Sequence, residues 1–230
     1  MTNSHLCETL MLKRLRLTKQ ILVKSISLTT ALLFGFISLN SAQAAGDLKR
    51  GEALSQTCLG CHGAPGLRNP GPVYAIPMVG GQHAEYIVTA LKAYKSKERS
   101  HKTMQAQAAS LSEQDMIDIA EFFSSLAGNS RPSHVNAQLR ALGKEKAAVC
   151  ASCHGATGDG DLNTFPKLAG QYESYIVHSL KDYRSGERNN AVMKGFAGNL
   201  TIGDIEALAA WFASQEGGLS APESKIFKAK

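Results

Sequence analysis

Cys58-Leu59-Gly60-Cys61-His62 is followed 92 residues later by Cys150-Ala151-Ser152-Cys153-His154, and these two pentapeptides decide how the chain is read. Two thiols three positions apart can form thioethers with the two vinyl groups of one haem. The histidine that follows at once can present its imidazole to the iron from the proximal side. Together the motifs use four of the five cysteines in the sequence. Cys-x-x-Cys also occurs in zinc sites and redox dithiols. Zinc usually asks for four cysteine or histidine ligands, and each half of this chain repeats only three. A thioredoxin-like dithiol expects a βαβ pattern, which is absent. The expectation is therefore two covalent haem c groups, attached through Cys58 and Cys61 and through Cys150 and Cys153, with His62 and His154 as proximal iron ligands.

The repetition extends well beyond the motifs. GEALSQTCLGCH (51–62) matches GKEKAAVCASCH (143–154) at an offset of 92. From Pro77 onward the offset is 89: PMVGGQHAEYIVTALKAYKSKER against PKLAGQYESYIVHSLKDYRSGER. It holds through Met104/Met193, Leu111/Leu200, Asp115/Asp204 and Phe122/Trp211. The first half thus has three surplus residues, expected in the Pro/Gly-rich loop APGLRNPGPVYAIP (64–77). A unit of about 90 residues exceeds the ~20–50 of a solenoid repeat. Two tandem domains are expected instead, at 45–130 and 131–230, joined through the polar stretch AGNSRPSHVNAQLR (127–140). Each is near the size at which an apolar core alone is marginal, and a buried haem would supply the missing apolar surface.

The periodicity is helical throughout, so the fold class is all-α. Tyr86, Ile87, Ala90, Leu91 and Tyr94 recur at helical spacing, as do Tyr175, Ile176, Ser179, Leu180 and Tyr183. Ser112-x-x-Asp115 and Thr201-x-x-Asp204 predict an N-cap for the last helix of each half, with an acid at the positive end of its dipole. The stripes that follow are Met116, Ile119, Ala120 and Phe123, matched by Ile205, Leu208, Ala209 and Phe212. The first helix of each half is expected to run into the haem motif, over 47–58 and 139–150. No period-2 stretch is long enough to argue for a sheet.

The sixth iron ligand follows from the internal comparison. Met104 pairs with Met193 at the 89-residue offset, while Met78 falls opposite Lys167 and Met116 opposite Ile205. Met116 fits a core stripe. Met104 and Met193 are expected in polar loops before the last helix, as distal ligands of the first and second iron. Of the other histidines, His83 sits opposite Tyr172, His101 opposite Asn190 and His178 opposite Thr89, and His134 lies in the linker. Bis-histidine ligation would have to differ between the halves. Thioether ligation favours ferrous iron and, with the imidazole, fills both axial positions, which suits an electron shuttle rather than activation of small molecules. Pro77 and Pro166 follow the motifs, and their carbonyls are expected acceptors for the free N–H of His62 and His154.

Residues 1–44 read as an export signal. Lys13, Arg14, Arg16, Lys19 and Lys24 form a basic region, ISLTTALLFGFISL (26–39) is an apolar run of 14 residues, and Ala42-Gln43-Ala44 is a small-x-small cleavage site. A full membrane crossing takes about 20 apolar residues, so cleavage after Ala44 is expected, with retention as a tether the other outcome. Met11 is a second candidate start. Those 44 residues hold five of the 25 basic groups and one of the 19 acidic ones, so without them the formal net charge falls from +6 to +2. That balance gives no basis for binding nucleic acid.

The mature region resembles the diheme cytochrome c4 family, two class I cytochrome c domains in tandem. The likeness rests on both Cys-x-x-Cys-His motifs, the Pro-x-x-x-Gly-Gln segments at 77–82 and 166–171, and the Met…Leu-[Ser/Thr]-x-x-Asp blocks at Met104 and Met193. It covers about 185 residues. The resemblance implies a periplasmic, often membrane-associated carrier without catalytic turnover. It also implies a quinol-cytochrome c oxidoreductase as donor, a terminal oxidase as acceptor, and haems near a domain interface with approximate two-fold symmetry. Two alternatives stand beside it: the haem subunit of a dehydrogenase, such as a flavocytochrome, and an enzyme in which one iron has lost its methionine. Lys92, Lys95, Lys97, Arg99 and Lys102, with Lys181, Arg184, Arg188 and Lys194, form either a docking patch for an acidic partner or a solvated helix face.

Overall fold

The computed structural model describes residues 45–128 and 133–222; the expected export segment 1–44 lies outside the described residues. The first half contains α1 (Leu48–Leu54), α2 (Gln56–His62), a hairpin of β1 (Arg68–Pro70) and β2 (Val73–Ala75), α3 (Ala84–Lys95), α4 (Lys102–Ala109) and α5 (Glu113–Ser125). The second contains α6 (Ala137–Lys146), a 3-10 turn (Ala147–Val149), α7 (Ala151–His154), α8 (Glu173–Ser185), α9 (Ala191–Ala197) and α10 (Ile202–Ala213).

In each half the first long helix crosses the last one at a glycine. A Cβ on Gly51 would lie 2.0 Å from the carbonyl oxygen of Asp118, and one on Gly143 would lie 1.9 Å from that of Ala207. Only a residue without a side chain permits this approach. The last helices, α5 and α10, each start at a complete capping box: Ser112 and Thr201 accept from the backbone N–H of Asp115 and Asp204, whose carboxylates accept in return. Their apolar stripes are buried as the spacing predicts, with Met116, Ile119 and Phe123 in one core and Ile205, Leu208 and Phe212 in the other, each at most 3% exposed. Ile87 and Leu91 of α3 close the first core against α5, and Ile176 of α8 joins the second against α10. Burying each such side chain contributes about 1.5–3 kcal/mol.

Three local expectations are corrected. The single first helix of the first half is two, because the chain turns at Ser55 between α1 and α2, and its counterpart breaks into α6, the 3-10 turn and α7. The linker-like stretch is shorter than its composition suggests, since the Asn136 side chain accepts from the backbone N–H of Leu139 and starts α6 at Ala137. The surplus loop of the first half forms the three-residue strands β1 and β2, paired antiparallel with Arg68 opposite Ala75. Strands that short carry no legible alternation. The hairpin docks on the other half: Ala75 N donates to Ser174 Oγ at 3.0 Å, and Tyr74 stacks on His178 with ring centroids 4.0 Å apart.

The halves meet through reciprocal contacts related by the 89-residue offset. Ser100 N donates to Glu187 O at 3.1 Å, and Asn189 N donates to Glu98 O at 2.8 Å. The counterparts His83 and Tyr172 also reach the other half, but to different groups: His83 Nε2 lies 2.8 Å from Gly160 O, whereas the Tyr172 hydroxyl accepts from Gly66 N at 3.0 Å. The Ser100–Glu187 and Asn189–Glu98 bonds, equivalent residues exchanging equivalent groups, describe an approximate two-fold axis.

Candidate haem centres

Each Cys-x-x-Cys-His motif ends a helix whose last residue is the histidine. Cys58 and Cys150 pack against their respective cores, and burial pushes both thiols up, while Cys61 is exposed. Among the described residues no three His, Cys, Asp or Glu side chains are grouped to hold a metal ion. His62 Nδ1 lies 2.8 Å from Pro77 O and His154 Nδ1 lies 2.8 Å from Pro166 O. A carbonyl accepts only, so Nδ1 carries the proton in both rings and Nε2 is the nitrogen with a lone pair for iron. Burial lowers the pKa of both imidazoles, which keeps the rings neutral, the form that ligates.

Met104 and Met193 lie in helices, not in the polar loops expected: Met104 is in α4 and Met193 in α9. Their N-caps explain the difference. His101 Nδ1 accepts from Met104 N at 3.1 Å, and its counterpart Asn190 accepts through Oδ1 from Met193 N at 2.9 Å. A histidine and an asparagine do the same work at equivalent positions, and a histidine is an uncommon cap. Met104 borders the same core as Cys58, and Met193 is partly buried on α9, which packs against α8. Met116 and Met78 are buried at 2% and 7% exposure.

The other described histidines have structural roles or are exposed. His101 is a cap, His83 bonds Gly160 O, His178 stacks on Tyr74 and contacts Asp182, and His134 is exposed.

A cluster missed at the sequence level lies between the halves. Arg99 and Arg188, read above as parts of a basic patch, are 8% and 6% exposed. Each guanidinium lies over the tyrosine five residues before it, Tyr94 and Tyr183, at 4.4 Å from the ring centroid. Each also reaches across the axis, Arg99 Nη2 to Tyr175 OH at 3.2 Å and Arg188 Nη2 to Tyr86 OH at 3.4 Å. Both Nε atoms are buried without a hydrogen-bond partner, and among the described residues neither guanidinium has a carboxylate at ion-pair distance. Burial alone would raise the Tyr175 phenol, but the two cations outweigh it and bring it down to about 8. An unpaired buried cation costs several kcal/mol. Two such cations fit a prosthetic group that brings its own carboxylates, as the haem propionates do. The signal lay in the sequence, where Tyr94-x4-Arg99 and Tyr183-x4-Arg188 fall at the same offset, but burial separates this cluster from a solvated face only in three dimensions.

The rest of the basic patch also thins out. Lys92 pairs with Glu113, Lys95 Nζ bonds Leu111 O, and Arg184 Nη1 donates to Leu200 O at 3.0 Å. Lys97, Lys102, Lys181 and Lys194 remain exposed.

The cytochrome c family model matches the chain twice, over residues 48–127 and 141–216, and the chain belongs to that family with two of its domains in tandem. Within it the likeness is to the diheme cytochromes c4. Cytochrome c4 of Stutzerimonas stutzeri is 33% identical over 193 residues, covering 74% of this chain and 90% of the relative. The thiosulfate dehydrogenase electron acceptor of Thiomonas intermedia is 28% identical over 172 residues, covering 69% and 78%. The structure of reduced recombinant cytochrome c4 from Pseudomonas stutzeri matches with a TM-score of 0.65 at 30% identity, covering 75% of this chain and 100% of that one. The protein is accordingly a diheme electron carrier with two covalent haem c groups that exchanges electrons with redox protein partners. No helix among the described residues is long and apolar enough to cross a membrane.

Proposed function

We propose that the chain carries single electrons in the periplasm between a quinol-cytochrome c oxidoreductase and a terminal oxidase, as a soluble or peripherally membrane-associated protein. Residues 1–44 act as its export signal, and its domains span 45–130 and 131–230. Cys58 and Cys61 hold the first haem by thioethers, and Cys150 and Cys153 the second. His62 Nε2 and the Met104 thioether ligate the first iron, and His154 Nε2 and the Met193 thioether the second. When bound, each haem supplies a one-electron iron couple. With an imidazole and a thioether from the chain both holding it, each iron would be closed to exogenous ligands.

The observation that supports this best is the equivalence of the two centres. The imidazole-to-proline bond is 2.8 Å in both, and each methionine sits at the third position after a side-chain cap. Two centres built alike suit electron storage and relay, whereas an enzyme would distinguish them. The test is reduction of the purified protein by quinol in membranes containing the oxidoreductase, then reoxidation on adding membranes with oxidase. Failure of either leg removes that partner. The Thiomonas relative named as a dehydrogenase electron acceptor is consistent with a second reading, service to a dehydrogenase as its haem subunit, without favouring it. Stoichiometric co-purification of a flavoprotein would replace the first reading by the second.

A further inference from the structure

The peptide group between Pro77 and Met78 is bonded at both ends. Its carbonyl faces His62 Nδ1 at 2.8 Å, and its N–H donates to Gln171 Oε1 at 3.0 Å, across the interface between the halves. The Pro166–Lys167 peptide repeats the arrangement with the halves exchanged. Its carbonyl faces His154 Nδ1 at 2.8 Å, and its N–H donates to Gln82 Oε1 at 2.8 Å. Gln171 Nε2 returns a bond to Met78 O at 2.9 Å, and Gln82 Nε2 one to Lys167 O at 3.1 Å. Each Oε1 also accepts from the next backbone N–H, of Tyr172 or His83, at 3.0 Å. The donors around each Oε1 fix the orientation of the amide, and both glutamines are buried, at 4% and 5% exposure.

We propose that Gln171 tunes the iron ligated by His62, and Gln82 the iron ligated by His154, each from the opposite domain through a single shared peptide group. This rests on the histidine ligation proposed above. A peptide whose N–H is bound to an acceptor carries more negative charge on its oxygen, because hydrogen bonds in a chain polarise one another, by about 10–30% per bond. A more negative Pro77 oxygen draws harder on the Nδ1 proton, and the imidazole becomes a stronger donor through Nε2. A stronger nitrogen donor favours ferric over ferrous iron. The link therefore lowers the potential of each centre, and it holds only while the domains are docked. Gln82 and Gln171 are positioning residues: neither touches the histidine it acts on.

The test is an NMR-monitored redox titration of the full holoprotein, with each couple assigned through the paramagnetically shifted signals of its own domain. Gln171→Met keeps the length of the side chain and removes the acceptor; it is expected to move the His62 couple upward and leave the His154 couple in place. Gln82→Met is expected to do the reverse, and each serves as the second variant if the other folds poorly. The inference is overturned if each variant moves the couple of its own domain, if both couples move together as looser docking would cause, or if neither moves. The haem content and Met–iron charge-transfer band of the same samples report ligation separately. An intact band with uncrossed potentials defeats this inference and leaves the ligation standing.

Discussion

Replacing Gly143 by alanine tests the helix crossing on which the second domain is built. The new Cβ would sit 1.9 Å from the carbonyl oxygen of Ala207 and 2.8 Å from Trp211 Cβ, where ordinary contact begins at 3.4 Å. Backbone cannot rotate away as a side chain can, so α6 and α10 must separate by more than ~1 Å, and overpacking of this kind costs about 1–3 kcal/mol. Loss of contact along the rest of the crossing places the expected value at the upper end, near 3 kcal/mol. For a domain of this size the melting temperature falls by roughly 4–8 °C per kcal/mol. Gly203→Ala on the same α10 is the control, because its nearest neighbour is Thr201 Oγ1 at 3.9 Å. It should be neutral or stabilise the helix by up to about 1 kcal/mol. Guanidinium unfolding followed by far-UV circular dichroism reports the helices, and the single tryptophan, Trp211, reports the crossing itself. A Gly143→Ala protein with the midpoint of the wild type would refute the close-approach argument, and with it the same reasoning for Gly51.

Lys97 has a φ of 68°, and its counterpart Gly186 takes the same left-handed region at 92°. Lys97→Gly should raise the stability of the first domain by about 0.5–1 kcal/mol, the relief of the Cβ clash less the entropy of glycine, read as a shifted unfolding midpoint. Asp204 is held down at about 2, first by the Lys146 side chain and then by Thr201, against an ordinary value of 3.8. Its depressed pKa adds stability that is complete above pH 3.8 and lost as the pH falls through about 2, so Asp204→Asn should flatten the acid limb of an unfolding curve across that window. An unchanged acid limb would count against the cap. Met193→Ala should halve the Met–iron charge-transfer band and admit carbon monoxide to one haem of the reduced protein; an undiminished band would exclude Met193 as a ligand.

Much of the fold could be read from the sequence because it is written twice. The capping boxes at Ser112 and Thr201, the buried stripes of α5 and α10, and the acceptors Pro77 and Pro166 each appear at matched positions, and chance seldom repeats a detail. What escaped reading depended on a surrounding that residue type does not reveal. Arg99 and Arg188 look like surface cations until tyrosines of both halves enclose them. Gln82 and Gln171 read only as parts of a family motif, since their partners are backbone groups 85 and 93 residues away. The helices around Met104 and Met193 are short and nearly devoid of apolar periodicity, so their existence depends on the caps at His101 and Asn190. The β1–β2 hairpin lies in the insertion for which the other half offers no comparison.

The most direct test of the whole account is haem quantification of the purified holoprotein, followed by exposure of the reduced form to carbon monoxide. Two imidazole–thioether centres predict two haems per chain and a reduced spectrum that carbon monoxide leaves unchanged. One haem per chain, or ready formation of a carbonyl adduct, would contradict it.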